Sequence, residues 1–357
     1  MNKLTSVERV MKALKLEEPD VVPHWDGVHR KVATAILPDD SQDRSMGLNA
    51  AFVEYMDIDA IGNFDKIHSW RLETVDDAKN IRRDQWGGLV QYTTEAIPIP
   101  IEPMIKSEKD LEGYVPPDPD EEWRYDYVKK LVKRFKGHRA VYAHATDVFD
   151  IAKESLLGDE SYFEAMIKNP ELIDQVNGIV LDYNLRYIKN SIEMGIDYFY
   201  ITGDFAMTQG PFVSPKHTAR FLTPALKKQV ELCHSMDIPV IKHTDGNIWP
   251  IFDLILETGI DAIHPIDPMS GMDLGEVKEK YGDRICLCGN VNCGPTLSWG
   301  SVEEVRQEVK ECIRKAGPGG GYICTSSNSI HSGVKPENYV AMVEAIREFG
   351  KYPLQMD

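Results

Sequence analysis

His243 and Asp245 stand two residues apart at the end of the apolar run "VIKHTDGN", residues 240–247. On an extended chain, residues i and i+2 project to the same side. If strand geometry continues to 245, then Ile241, His243 and Asp245 share a face. An imidazole beside a carboxylate is half of a metal site, or a polarised acid–base pair. A divalent ion such as zinc needs a third protein ligand and an open position. Other apolar runs offer Asp204, Cys288, Cys324 and Asn328 for that place. A plainer arrangement also fits: Asp245 caps the next helix with Gly246 and Asn247, and His243 bonds a buried backbone group.

The elements that would position these groups are short β-rich runs. They cover 20–27, 57–65, 139–147, 196–204, 238–246, 260–267, 284–291 and 321–329. Most of the later ones follow a helical pattern such as "VEEVRQEVKECIRKAG". Alternating strands and helices imply parallel pairing with crossover helices. Eight units predict an α/β fold of the closed (β/α)8 TIM-barrel type, a single domain over residues 1–357. Each run begins apolar and ends polar. The endings are His24 and Asp26, Asn63 and Asp65, His144 and Asp147, Asp204, His243 and Asp245, His264 and Asp267, Asn290, and Asn328. Barrels carry their chemistry at the carboxyl ends of the strands, so this asymmetry points to an enzyme.

Residues 66–137 are too many for one crossover. "RRDQWGGLVQYTTEAIP" reads as a small β excursion inserted between strands 2 and 3, and "GYVPPDPDEEW" as a Pro/Asp loop. No GxGxxG follows an early strand, and "GPGGGY" at 317–322 precedes a strand, so a dinucleotide site is not supported. "GDFAMTQGPFVSP" suits either a loop closing over a ligand or an ordinary strand–helix turn. Trp25, Trp70, Trp86 and Trp249 are candidates for an aromatic pocket or for the core, and His331 for a structural or rim position.

The net charge of −17 disfavours a sequence-independent grip on nucleic acid or anionic lipid. No apolar stretch approaches the roughly 18 residues of a membrane span. The N-terminal "MNKLTSVERVMKALKLEEPD" has no signal-like apolar core and reads as a helix capped by Ser6, with Val7, Val10, Met11 and Leu14 on one face. A cytoplasmic location follows, with six reduced cysteines and no CxxC pair.

Several segments resemble the uroporphyrinogen decarboxylase-like superfamily. They are "SVERVMKALKLEEPDVVP", "VSPKHTARFLTPALKKQV", "GNV" at 289–291 and "GGGYICTSSNSIHSGVKPENYVAMVEA". The resemblance spans nearly the whole chain and implies a (β/α)8 barrel. Its decarboxylases use an early-strand aspartate and N-terminal basic residues without a cofactor. Here an Arg-rich loop is not evident, and a "GHGI" type of sequence becomes "SNSI" with Asn328 in place of histidine. Its cobamide-dependent methyltransferases use zinc held by a His-x-Cys pair and a distant Cys. His243 matches that histidine, Asp245 stands where the first cysteine would be, and Asn328 stands near the late one.

A carboxylate–imidazole set suits an oxygen ligand better than a thiolate. The resemblance therefore implies a metal-assisted methyltransferase, similar to those of O-demethylase systems, that moves a methyl group from a methoxylated aromatic to a corrinoid on a partner protein. The expected metal is zinc, on His243, Asp245 and Cys324. Asp204 joins His243 and Asp245 in catalysis, while His144, Asn290, Asn328 and Trp25 contact substrate. A homodimer is compatible with the sequence. Two competing readings are a metal-free lyase acting on a carboxylated ring, and a non-catalytic barrel that docks a corrinoid protein or holds a small molecule.

Overall fold

The computed structural model describes residues 3–38, 47–64, 71–95 and 98–355. Asp65 and Trp70, both singled out above, lie outside the described residues.

Seven parallel strands form one curled sheet. They are β1 (Ala60–Phe64), β6 (Ala140–Thr146), β7 (Tyr198–Thr202), β10 (Val240–His243), β11 (Ala262–His264), β12 (Cys286–Val291) and β13 (Tyr322–Ser326), and the spatial order follows the chain. The described side chains of β6 up to Ala145, of β11, of β12 and of β13 are buried throughout, as expected of parallel strands covered on both faces.

The first apolar run, 20–27, does not become a regular strand. Pro23 lacks a donor, and the segment makes isolated bridges, Val21 to Lys351 and His24 to Cys324, with Val28 to Ile330 just beyond it. It nonetheless joins the two sheet edges. Cys324 N donates to Pro23 O at 2.9 Å and Asp59 N donates to His24 O at 3.0 Å. Inside the curl, Trp25 meets Tyr200 edge-on at 5.1 Å and stacks on His264 at 5.4 Å, and Tyr142 stacks on Tyr198 at 4.9 Å. These rings floor the space beneath the strand ends.

The N-terminal helix runs Ser6–Leu14, but its cap is Thr5, whose side chain and Glu8 form a reciprocal capping box. Between β1 and β6 lies a four-stranded antiparallel sheet: β2 (Thr74–Asp76), β3 (Ile81–Arg83), β4 (Leu89–Gln91) and β5 (Ile99–Glu102). Met104 N and Ile105 N donate to Ser155 O and Leu156 O, and Trp86 packs edge-on against Tyr183 at 4.9 Å. The small sheet is thereby docked beside the carboxyl ends of β6 and β7. After β7, a two-residue hairpin of β8 (Ala206–Met207) and β9 (Gly210–Pro211) leans on the loop after β10, where Asn247 N donates to Met207 O at 2.9 Å.

Candidate metal centre and its pocket

β7 ends at Thr202, and Gly203 carries the chain past Asp147 so closely that a Cβ would sit 2.6 Å from that residue's Cβ. The next residue, Asp204, has its N–H fixed by Asp150 Oδ2 at 3.1 Å. β10 ends at His243, so Asp245 is delivered by a loop and not by strand parity. Asp245 N donates to Asp204 Oδ1 at 2.8 Å. Gly246 then turns at φ +89°, where a Cβ would lie 2.6 Å from the Ala206 carbonyl carbon. Only glycine satisfies both the conformation and the approach. Asp245 does not cap the helical turn that follows, whose N-cap is Ile248; Asn247 Oδ1 accepts from Trp249 N at 3.2 Å.

The tautomer of His243 follows from its neighbours. His264 is buried, with the Ser326 backbone as a minor influence that favours its protonated form. Burial, then the proximity of His243, holds its pKa well below the usual imidazole value, so it is neutral with one acceptor nitrogen. That acceptor is Nδ1, 2.7 Å from His243 Nδ1 and 3.2 Å from the Tyr200 hydroxyl. With His264 Nδ1 as the acceptor of this pair, His243 donates from Nδ1 and presents a lone pair on Nε2. This nitrogen lies 3.7 Å from both Asp204 Oδ1 and Asp245 Oδ1.

Three possible ligand atoms thus converge, and without a metal the raised pKa of Asp245 keeps a proton there at neutral pH that a bound cation would displace. Asp245 Oδ1 is buried without a hydrogen-bond partner, while its Oδ2 accepts from the Asn328 amide. An unpartnered acceptor in such a place asks for a cation. Asp204, His243 and Asp245 each offer one ligand atom, all within 4.8 Å of one another. Tetrahedral zinc with ligands at about 2.1 Å sets them about 3.4 Å apart, so the donor set fits zinc with modest tightening. Burial first, then Lys242, lowers the His243 pKa to about 4, against the pull of Asp204, which keeps the lone pair free at neutral pH. Burial first, then repulsion from Asp204 and Asp267, raises Asp245 to about 8. Both shifts express the desolvation and like-charge crowding that a bound cation relieves.

A cavity of about 320 Å³ opens on this group. Asp204, His243 and Thr202 form one end, Asp150 and Glu154 continue the wall, and Trp86 of the antiparallel sheet faces into it.

The chain matches the family model "Uroporphyrinogen decarboxylase (URO-D)" over residues 83–349. It belongs to the uroporphyrinogen decarboxylase family. Curated relatives of this URO-D chain include the uroporphyrinogen decarboxylase of Psychromonas ingrahamii, 25% identical over 73% of this chain and 74% of the relative. That of Pseudoalteromonas atlantica is 24% identical over 98% of each. Among solved structures, a methyltransferase from Methanosarcina mazei superposes with a TM-score of 0.75 at 21% identity, over 97% of this chain and 99% of that one, and so shares its fold.

Several residues expected in this URO-D family site stand elsewhere. The structure does not bring Cys324 to the Asp204–His243–Asp245 group: its thiol is fully buried, with Cys312 and Glu308 of the helix Val302–Ala316 among its electrostatic neighbours. Burial raises its pKa well above the ordinary thiol value, the opposite of what ligation needs. Asn290 does not reach substrate either. Its amide donates to Ile266 O at 2.8 Å and its oxygen receives the Cys312 thiol, both away from the cavity. His144 is buried behind the cavity wall, with its Nε2 2.6 Å from the Oγ1 of Thr202, which lines the cavity. Trp25 is part of the aromatic floor, with its indole N–H unpartnered beneath His264. Trp249 donates to Gly271 O on an outer loop, which leaves Trp86 as the pocket tryptophan among those described. His331 bonds Ser298 Oγ at 3.3 Å on the rim. The missed residue is His264. It was visible as one polar strand end among several, but its pairing with His243 depends on adjacent strands being in register.

Proposed function

We propose that this protein is a methyltransferase that takes a methyl group from a small methoxylated aromatic and passes it to a corrinoid on a partner protein. The observation that carries the reading is the convergence of His243 Nε2, Asp204 Oδ1 and Asp245 Oδ1 at the mouth of a small cavity. Zinc held there would act as a Lewis acid on the ether oxygen. Asn328 fixes the Asp245 carboxylate, His264 fixes the His243 lone pair, and the floor of Trp25, Tyr142 and Tyr200 keeps water from below. The metal that His243, Asp204 and Asp245 would hold would stabilise the electron pair left on the ether oxygen, and the partner's corrinoid would supply the methyl acceptor.

In this reading the chain is a (β/α)8 barrel in which residues 20–27 stand for the first strand. The antiparallel sheet is an insertion that roofs the pocket. The fold shared with the Methanosarcina methyltransferase supports it. The names of the curated relatives favour a decarboxylase instead. A polycarboxylated tetrapyrrole, however, needs cationic partners and space. At about 320 Å³ the cavity is at the small end of ligand sites. Among the described residues its wall holds Asp84, Asp150, Glu154 and Asp204 and no lysine or arginine.

The test is metal analysis of the purified protein together with methyl transfer from methoxylated arenes to a reduced corrinoid acceptor. We expect one bound zinc, and loss of both metal and transfer in His243→Ala. Metal-free release of carbon dioxide from a tetrapyrrole would establish the other reading.

A further inference from the structure

We infer that the methyl donor carries a positive charge at its non-reacting end, recognised by Asp150 and Glu154 with the rings of Trp86 and Tyr92. This deepens the methyltransferase reading and rests on it for the reacting end.

The acidic wall has direction. Asp204 belongs to the metal centre, its N–H bonds Asp150 Oδ2, and Glu154 follows Asp150 by four residues in the segment after β6. The carboxylates therefore form a stripe running away from His243 along the cavity. Lys153 pairs with two of them, 3.2 Å from Asp150 and 3.4 Å from Glu154. It does not balance the wall, because Asp84 lines the same cavity and Asp245 stands behind Asp204. Lys242 adds a second ammonium, bonded to Gly203 O at 2.7 Å, yet among the described residues five carboxyl groups still outnumber the two. Burial first, then the neighbouring carboxylates, raises Asp150 to about 7 and lifts Glu154, so an entering cation stabilises the ionised wall. A field of one sign between low-dielectric walls concentrates ligands of the opposite charge.

The second observation is aromatic. Trp86 and Tyr92, from the antiparallel sheet, line this cavity. Lys153 itself shows which chemistry this region accepts: its ammonium lies 5.0 Å from the Phe149 ring and 4.6 Å from the Phe212 ring. Carboxylates beside aromatic faces bind alkylammonium groups through charge and ring quadrupole together. A carboxylated arene would meet repulsion along the acidic wall of Asp150 and Glu154.

The test uses three probes without a methoxy group on the purified protein, followed by calorimetry at neutral pH. Benzyltrimethylammonium is a fixed cation, benzyl alcohol is neutral, and benzenesulfonate is a fixed anion. Neither charged probe is a strong zinc ligand, so binding reports the walls. We expect the cation to bind about tenfold tighter than the alcohol, and the sulfonate not to bind. Glu154→Gln, at a half-exposed side chain, should remove most of the cation's advantage and leave the alcohol unchanged. Equal binding of cation and anion, or full selectivity in Glu154→Gln, overturns the inference. Methoxybenzylamine, methoxybenzyl alcohol and methoxybenzoate are then compared in methyl transfer. The lowest KM for the amine supports the inference, and the lowest KM for the benzoate overturns it while leaving the methyltransferase reading intact. Cation selectivity with no transfer from any of the three supports a cation-binding wall at Asp150 and Glu154 and overturns its assignment to a methyl donor.

Discussion

His264→Phe isolates the hydrogen bond that sets the lone pair of His243. Phenylalanine keeps a ring of similar size over Trp25, where the native pair stacks at 5.4 Å with 28° between planes. It deletes the acceptor 2.7 Å from His243 Nδ1. His243 then loses the partner that fixes both ring orientation and tautomer. Removal of such an outer partner costs about 10–100-fold in metal affinity, or about 1.4–2.7 kcal/mol. The same change strands the His243 N–H and the Tyr200 hydroxyl in a buried site, at about 1–3 kcal/mol for each group that finds no new partner. The assay is a zinc titration against a competing chelator, run beside thermal melts of the metal-free protein. We expect weaker zinc binding together with a lower melting temperature, and binding still present at saturating zinc. Unchanged zinc affinity in a folded His264→Phe would refute the tautomer argument, because that argument gives Nε2 its lone pair only through His264.

Two more outcomes follow from buried groups. Asp26 accepts from Ser326 N and Oγ through Oδ1, its Oδ2 has no partner, and burial raises its pKa to about 7 against those bonds. A carboxyl raised on folding contributes stability that is complete below its unfolded pKa, about 4, and is lost as pH rises through 7. Asp26→Asn should therefore gain on the native protein between pH 4 and 7, by about 4 kcal/mol at the plateau. Denaturant melts across that range check it, and a difference independent of pH would contradict the assignment. Cys324→Ala should leave zinc stoichiometry unchanged in metal analysis while lowering stability by about 1–2 kcal/mol. Loss of the metal would return the thiol to the ligand set.

The residues alone were enough for the alternation of strand and helix, the polar strand ends, the His243-x-Asp245 pair and the family resemblance. These are local: an apolar run with a polar end is readable wherever it occurs. Tertiary structure decided which polar ends meet. Both faces of a parallel sheet are apolar, so the pattern does not say which side of β13 faces the axis, and Cys324 proved to lie buried outside the Asp204–His243–Asp245 group. Asp245 lies beyond the last residue of β10, where parity no longer applies, and it reaches Asp204 only because a glycine turn lets two loops touch. His264 finds His243 through strand register, and Trp86 reaches the cavity through a sheet that docks from outside the main curl. Long-range placement of this kind arises from packing between elements, and no window along the chain contains it.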